Sequence, residues 1–156
     1  MINLIGLGNR LRGDDGIGPI VLNEFGKKYN DGSFNLIEAG ADAFSVLEYL
    51  IGGQPNIVVD CANMGLAPGI VKCFRLNKNI LKTVDSMVSL HGFSFAEIYN
   101  MAESLGKLAP TSLIGVQPAT IEFGQRLSPQ VEQAIPQILD LIIEEAEYYA
   151  KKNFDH

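Results

Sequence analysis

The sequence has little of what several classes of protein require. Positive charge is scarce, since 12 lysines and arginines stand against 18 aspartates and glutamates and the net charge is −6. A nucleic-acid-binding surface must neutralise phosphates, so we expect no nucleic acid among the partners. Two cysteines, Cys61 and Cys73, are too few for a disulfide framework or a zinc knuckle. We expect both to be small buried apolar groups.

Membrane and export signals are also missing from the sequence. No apolar run approaches the roughly 18 residues that cross a bilayer, and the residues after Met1 lack the segments of a signal peptide. We therefore expect a cytoplasmic protein without a membrane partner. The 156 residues, 47% of them hydrophobic, suffice for one domain over residues 1–156. No apolar seam stands out on a surface helix, so we expect a monomer.

Strand-like and helix-like patterns alternate along nearly the whole chain. The strongest strand pattern is Ile57–Val59, which is β-branched and continuous, as in a sheet covered on both faces. Other strands are predicted at Ile2–Ile5, Phe34–Ile37, Ile70–Leu76 and Ser112–Val116. This alternation predicts a three-layer α/β/α fold, with a mostly parallel, twisted sheet of about five strands and helices on both faces.

Helices are predicted between these strands from apolar spacing and capping residues. They cover about Gly16–Tyr29, Asp42–Ile51 and Phe95–Leu105, and a last helix starts at Ser128-Pro129. Asp42 and Ser128 are the expected N-caps, and Ser94-Phe95-Ala96-Glu97 forms a capping box. Pro136 lies inside the last helix and predicts a kink. The segment from Asn77 to Leu90 gives only a hint of helical turns.

The turn between the first strand and the first helix is rich in glycine and contains two adjacent acids. It reads Gly6-Leu7-Gly8-Asn9-Arg10-Leu11-Arg12-Gly13-Asp14-Asp15-Gly16-Ile17-Gly18. A phosphate-binding loop avoids acids, and Leu11 stands where a dinucleotide fingerprint has its third glycine. The chain has neither a Walker A sequence nor a G-x-S-x-G elbow. A nucleotide site is therefore the least favoured interpretation.

Polar residues gather after the predicted strands, at the edge where open α/β sheets bind ligands. In chain order they are Asn9, Asp14, Asp15, Glu38, Asp60 and Gln117, and His91 opens a predicted helix whose preceding loop would lie at the same edge. Carboxylates and one histidine at one rim suit a metal of hard-to-borderline character. The only histidines are His91 and His156, which leaves a serine or cysteine triad one sensible base. We therefore expect any hydrolysis to use a metal.

Each of these residues also has a purely structural interpretation. Asp14 and Asp15 would stabilise a helix N-terminus through its dipole, and Asp60 would cap a turn. Glu38 would be an exposed charge at a strand end, and His91 would bond a nearby backbone group. The common placement of the residues, more than any one of them, favours a site.

The motifs resemble those of the hydrogenase maturation proteases, endopeptidases that remove a C-terminal extension from the large subunit of [NiFe] hydrogenases. The resemblance rests on the turn Gly6–Gly18, on the segment Val59–Gly69, on His91 and on Gly115–Pro118. Their order and spacing match over nearly the whole chain. The Asn-Met-Gly-Leu-Ala-Pro-Gly part of the second motif is most similar to the branch that serves formate-hydrogenlyase-type hydrogenases.

The resemblance implies a nickel-recognising site at Asp15, Asp60 and His91. Glu38 falls at a further acidic position of the family, where it is one methylene longer than the usual aspartate, and Asn9 and Gln117 are candidate supporting residues. Asp14 is expected to be the structural member of the acidic pair. The nickel is expected to be carried by the substrate, the precursor of a hydrogenase large subunit, and not stored by the enzyme.

The sequence is compatible with two mechanisms of hydrolysis and with a second, non-catalytic function. In one mechanism nickel polarises the scissile carbonyl or activates a water molecule; in the other, one carboxylate acts as general base. The second function is a non-catalytic nickel-binding or chaperone module for hydrogenase assembly, which would bind the precursor without shortening it.

Overall fold

A computed structural model of the chain describes residues 1–41, 43–77, 95–106 and 108–154. The strands are β1 (Ile2–Leu7), β2 (Phe34–Gly40), β3 (Asn56–Cys61), β4 (Val71–Arg75) and β5 (Thr111–Val116). The helices are α1 (Ile17–Lys28), α2 (Leu47–Leu50), α3 (Phe95–Leu105) and α4 (Pro129–Phe154). Short 3₁₀ turns cover Gly13–Gly16 and Ala43–Val46.

The five strands form one sheet in the order β2-β1-β3-β5-β4. All neighbouring strands are parallel except β4, which runs antiparallel to β5 at the edge of the sheet. The chain builds β2 on one side of β1 and then β3 on the other. The direction in which strands are added to the sheet therefore reverses at β1. Such a reversal leaves a crevice at the carboxyl ends of the two adjacent strands, here β1 and β3.

Two apolar cores lie on opposite faces of this sheet. One joins α1 and α4 to the side chains of Leu4, Val59 and Ile114; the other joins α2 and α3 to Ile5 and Leu113. Successive strand residues point to opposite faces, which explains why neighbours in one strand enter different cores. The predicted three-layer α/β/α architecture is confirmed.

Four strands are longer than their apolar runs predicted, because backbone pairing continues through neighbouring residues, whereas β4 is shorter than the predicted Ile70–Leu76. β2 extends to Gly40 and includes Glu38, and β3 extends to Cys61 and includes Asp60. The predicted helix over residues 42–51 is wrong in length, since only Leu47–Leu50 is α-helical after the 3₁₀ turn. The expected caps Asp42 and Ser94, and the ambiguous segment from residue 78 onward, lie outside the described residues.

Helix α4 begins as its capping residue predicted and continues through Pro136. The Ser128 Oγ atom accepts the backbone N–H of Val131 at 3.4 Å, and Pro136 is exposed on the helix surface. Proline has no N–H, so the Glu132 carbonyl loses its helical donor where water can reach it. The kink stays a prediction. Although α4 has 26 residues, neither it nor another described helix is apolar enough to cross a membrane.

Candidate functional site

The turn between β1 and α1 is packed so tightly that two of its positions require glycine. Gly8 has a φ of +135°, and a side chain there would collide with the carbonyl oxygen of Asp15. A side chain at Gly18 would overlap the carbonyl of Leu7 and lie 2.9 Å from that of Val59. Bare backbone at both positions lets the start of α1 press against β1 and β3, which brings the acids of the turn to the crevice.

Asp14 is completely buried and accepts four hydrogen bonds. Its Oδ2 atom accepts from the backbone N–H groups of Ala119 (2.8 Å) and Thr120 (3.1 Å). The hydroxyl of Ser128 donates to the same oxygen at 2.8 Å, and the Ser128 N–H donates to Oδ1 at 2.7 Å. The carboxylate therefore fastens the turn to the loop before α4, which supports a structural role for Asp14.

Asp15 is also completely buried but has a different set of neighbours. Its Oδ2 atom accepts the backbone N–H of Asn9 at 3.0 Å. The Asn9 side chain in turn accepts the N–H of Leu11 at 2.9 Å, and the Asn9 carbonyl accepts that of Arg12 at 3.1 Å. Asn9 thus shapes the loop around Asp15, in agreement with the supporting role predicted for it.

Asp60 reaches the same edge of the sheet from β3 and is only 7% exposed. It lies opposite Gly115 of β5 in the strand register. Its neighbours Val59 and Cys61 belong to the core under α1 and α4, so the Asp60 side chain points to the face that α2 and α3 cover.

The thiol of Cys61 shows that the acids of the turn and of β3 lie near one another. Burial raises the pKa of Cys61, and the negative charges of Asp60, Asp15 and Asp14 raise it further. The positive charge of Arg12 acts in the opposite direction. A thiol with a raised pKa stays protonated at neutral pH, so Cys61 is unsuited to act as a nucleophile.

Gln117 holds the loop that follows Asp60. Its Oε1 atom accepts the backbone N–H groups of Met64 (2.6 Å) and Leu66 (3.3 Å), and its Nε2 atom donates to the Asn63 side chain at 3.2 Å. Gln117 is itself buried, and an unpaired amide at such a position would be costly. The residue supports the site through the conformation of residues 63–66.

Glu38 lies at the carboxyl end of β2 but is not buried with the other acids. Its side chain is 51% exposed and forms an ion pair with Arg10, whose Nε atom lies 3.3 Å from Oε1. The strand β1 separates it from β3. This geometry favours the interpretation of Glu38 as an exposed, paired charge at a strand end.

His91, the third predicted ligand, lies outside the described residues. Within the described ranges, no group of three or more histidine, cysteine, aspartate or glutamate side chains could hold a metal ion. The structure therefore brings two of the three candidate ligands, Asp15 and Asp60, to one crevice.

Arg12 is a residue of this site that sequence reasoning did not single out. It is partly buried, and its Nε atom is buried without a hydrogen-bond partner in the part of the chain that the structure describes. Its Cζ atom lies 5.4 Å from the ring centroid of Phe123. A guanidinium two residues before a pair of acids was the available signal.

Comparison with known proteins identifies the family. Residues 20–145 match the family model described as hydrogenase maturation protease. The hydrogenase expression/formation protein HupD of Bradyrhizobium diazoefficiens is 32% identical, over 90% of this chain and 74% of that protein. Sequence similarity therefore extends well beyond the short motifs.

Solved structures show the same fold at lower sequence identity. The hydrogenase maturating endopeptidase HybD from E. coli has a TM-score of 0.79 at 20% identity, covering 95% of this chain and 93% of that chain. The [NiFe] hydrogenase maturation protease HybD from Thermococcus kodakarensis has a TM-score of 0.75 at 23% identity, covering 93% of this chain and 98% of that chain. At these identities the likeness shows the fold alone.

The comparisons do not separate the branches of the family, so the assignment to the formate-hydrogenlyase-type branch stays a prediction. The family itself, and with it the predicted class of enzyme, is confirmed by the match over residues 20–145 and by the relative at 32% identity. The chain belongs to the hydrogenase maturation protease family.

Proposed function

We propose that this protein removes the C-terminal extension from a nickel-loaded precursor of a [NiFe] hydrogenase large subunit and recognises the nickel through Asp15, Asp60 and His91. The observation that carries the proposal is the pair of buried carboxylates, Asp15 and Asp60, at the crevice between β1 and β3. Two carboxylates out of water form a strong site for a cation, since their charges are screened little. Cytoplasmic location and a monomeric state stay predictions.

The third ligand in this proposal is His91. Helix α3 ends at Leu105, and a short segment leads from there to Thr111, the first residue of β5. The helix therefore runs opposite to β5, and its first residue, Phe95, is at the carboxyl edge. His91 precedes Phe95 by four positions in the sequence. Helix α3 also covers the face to which Asp60 points.

The nickel belongs to the substrate in this proposal and arrives with the precursor. Carboxylate oxygens from Asp15 and Asp60 and an imidazole nitrogen from His91 form a donor set that suits nickel. Binding the substrate's own metal would position the peptide bond next to it beside the buried acids. The enzyme would thereby act only on precursors whose metal has been inserted.

Hydrolysis requires a proton to leave the attacking water and a proton to reach the departing amine nitrogen. A carboxylate of the site can carry out both transfers as general base and then general acid; alternatively, the substrate's nickel polarises the carbonyl or the water. The two mechanisms differ in what Asp60→Asn does. A general base predicts intact precursor binding with lost cleavage, whereas a ligand predicts that binding weakens as well.

The test is the intact mass of the precursor before and after incubation with the protein. The precursors of all [NiFe] large subunits encoded in the same genome are prepared with and without nickel. We expect the mass of one of them to fall by that of its C-terminal extension, and only in the nickel-loaded form. Unchanged mass in every nickel-loaded precursor would overturn the proposal.

The site assignment is tested with Asp15→Asn, Asp60→Asn and His91→Ala. Each is expected to stop cleavage while the far-UV circular dichroism stays that of the wild type. The matched control is Asp140→Asn, because Asp140 is an exposed acid on α4, and this variant is expected to cleave normally. If all three site variants cleave like the control, the assignment is wrong.

A non-catalytic nickel-binding or chaperone role gives a different result in the same experiment. The precursor would then bind in a nickel-dependent manner, as measured by co-elution in size-exclusion chromatography, but its mass would not change. Binding with no loss of mass would replace the endopeptidase by this second function.

A further inference from the structure

Two large apolar side chains are exposed to solvent, one in the acidic turn between β1 and α1 and one in the loop bonded to it. Leu11 is 69% exposed and Phe123 is 71% exposed. They are not scattered, because the Gly124 N–H donates to the Leu11 carbonyl at 2.9 Å and joins the two loops that carry them. An isolated exposed apolar residue needs no explanation, but two on bonded loops form a common surface.

These loops are held rigidly to the core by Asp14. The Asp14 N–H donates to the Thr120 carbonyl at 2.9 Å, and the Asp14 carboxylate accepts the N–H groups of Ala119 and Thr120. The carboxylate also binds Ser128 at the far end of the second loop. Leu11 and Phe123 are therefore displayed from a fixed base, which reduces the entropy lost when a partner binds.

Arginines accompany the two apolar side chains, together with one exposed acid, Glu122, which precedes Phe123. Three of the four arginines, Arg10, Arg12 and Arg126, lie in these loops. The fourth, Arg75, lies on β4 and is bonded to Glu145. Arg10 pairs with Glu38, whereas Arg12 lies beside the Phe123 ring. Arginine and aromatic side chains together are typical of the centre of protein interfaces.

We propose that Leu11, Arg12 and Phe123, called here the two-loop surface, bind the segment of the precursor polypeptide that adjoins the scissile bond. Leu11 and Phe123 take an apolar side chain of that segment, and Arg12 pairs with a carboxylate on it. This rests on the proposed function. A polypeptide is the occupant because the surface is continuous with the turn that bears Asp15, and a substrate chain bound at Asp15 extends beyond the scissile bond onto neighbouring residues.

The test uses Leu11→Ala and Phe123→Ala, with Leu105→Ala as the matched control. Leu105 is 65% exposed at the end of α3 and belongs to neither loop. We expect each of the two variants to raise KM for the nickel-loaded precursor about tenfold, the effect of losing about 1.4 kcal/mol of binding. The kcat of both variants and every parameter of the control are expected to match the wild type.

A second measurement makes the outcome independent of cleavage. The dissociation constant of the same precursor, loaded with nickel, is measured by biolayer interferometry for the wild type and for Phe123→Ala. Weaker binding in the variant supports the two-loop surface even if the wild type cuts no precursor, in which case only the proposed function fails. Equal binding overturns the inference, even if the wild type cleaves normally.

The charge contribution and other occupants are tested in parallel. Arg12→Gln is expected to weaken precursor binding more at low than at high salt, whereas Lys151→Gln, which removes an exposed charge at the end of α4, leaves it unchanged.

A wild-type dimer that Phe123→Ala converts to monomer, with unchanged precursor affinity, would mean that a second copy occupies the surface. Sedimentation with phosphatidylglycerol vesicles that depends on Phe123, again with unchanged precursor affinity, would mean a lipid surface. Both results overturn the inference.

Discussion

Buried carboxylates occur at two places in this protein, and their surroundings differ. Glu145 of α4 lies at the amino end of β5, where its carboxylate accepts two bonds from the Arg75 guanidinium, at 3.0 and 2.9 Å. The Ser112 hydroxyl donates to the same carboxylate at 2.6 Å and also contacts the Tyr149 hydroxyl at 2.6 Å. The guanidinium stacks on the Tyr148 ring at 3.4 Å. We call these residues the Glu145 cluster.

At the opposite edge of the sheet, three acids come together with a different balance of charge. The donors to Asp14 are neutral backbone and hydroxyl groups, and the charges of Asp14, Asp15 and Asp60 together raise the pKa of the neighbouring thiol, against the single opposing charge of Arg12. The Glu145 cluster is closed by its own cation, whereas the crevice concentrates negative charge. The comparison predicts that the first cluster serves stability and the second binds a cation from outside.

The largest expected effect separates the two clusters by activity. Asp60→Asn should lower kcat/KM for the nickel-loaded precursor by about 10²- to 10⁴-fold, the range for loss of a group that acts in the reaction. Glu145→Gln should leave kcat/KM unchanged in the folded protein, because Glu145 lies at the other edge of the sheet. Both are measured by the rate of mass loss of the precursor at 25 °C. If kcat/KM fell equally in Asp60→Asn and Glu145→Gln, the two clusters would not differ in their roles as predicted.

The next effect divides the acidic pair itself. Asp14→Asn should lower the free energy of unfolding by about 3 kcal/mol, because an amide cannot accept all four hydrogen bonds that the buried carboxylate accepts. Urea denaturation followed by circular dichroism measures it. Asp140→Asn is the control, since Asp140 is an exposed acid on α4. A change below about 1 kcal/mol for Asp14→Asn would contradict its structural role.

A smaller loss of stability is expected in the Glu145 cluster. Arg75→Met should lower the free energy of unfolding by about 2 kcal/mol, because it leaves the buried Glu145 charge with fewer donors. The effect stays below that of a fully buried pair because the Arg75 side chain is 48% exposed and water partly replaces it. Lys72→Met, an exposed charge on the same strand, is the control in the same urea experiment. Equal free energies of unfolding for Arg75→Met and Lys72→Met would contradict the prediction that the Glu145 cluster stabilises the fold.

The fold was predictable because its signals are local. Apolar periodicity and continuous runs such as Ile57–Val59 placed the strands, and Ser128 with Pro129 placed the start of α4. Strand ends were less accurate, because pairing with neighbouring strands carries the backbone through polar residues. Glu38 and Asp60 therefore lie inside strands that were expected to stop just before them.

The site was only partly predictable because its decisive contacts are distant in sequence. Asp14 and Asp15 are adjacent and chemically identical, and what distinguishes them is the bonding of Asp14 to residues 105 to 114 positions away. No local pattern contains that information. Likewise, Leu11 and Phe123 come together only because two loops distant in sequence are hydrogen-bonded to each other. An apolar residue within a turn does not by itself predict that arrangement.

The pH dependence of stability gives the smallest expected effect and tests the Glu145 cluster most directly. Burial alone would raise the pKa of Glu145, but hydrogen bonds from Arg75 and Ser112 and the charge of Arg75 outweigh it, so the pKa lies below 4.5. A carboxyl whose pKa is lowered by folding stabilises the protein above its unfolded pKa, and that stabilisation is lost as the pH falls through the folded value.

We therefore expect the gap in unfolding free energy between the wild type and Arg75→Met to be widest at about pH 7 to pH 8 and to narrow as the pH falls towards and below 4.5, because Arg75 no longer opposes burial in the variant and Glu145 takes up a proton at a higher pH there. Cys73 and Tyr149 do not titrate in this window, because burial raises the pKa of each to about 12. Urea denaturation of both proteins at a series of pH values measures the gap, with Lys72→Met as the control whose gap stays flat. If the Arg75→Met gap also stayed flat, Arg75 would stabilise α4 through its contact with the Tyr148 ring, and Glu145 would not be the charge it balances.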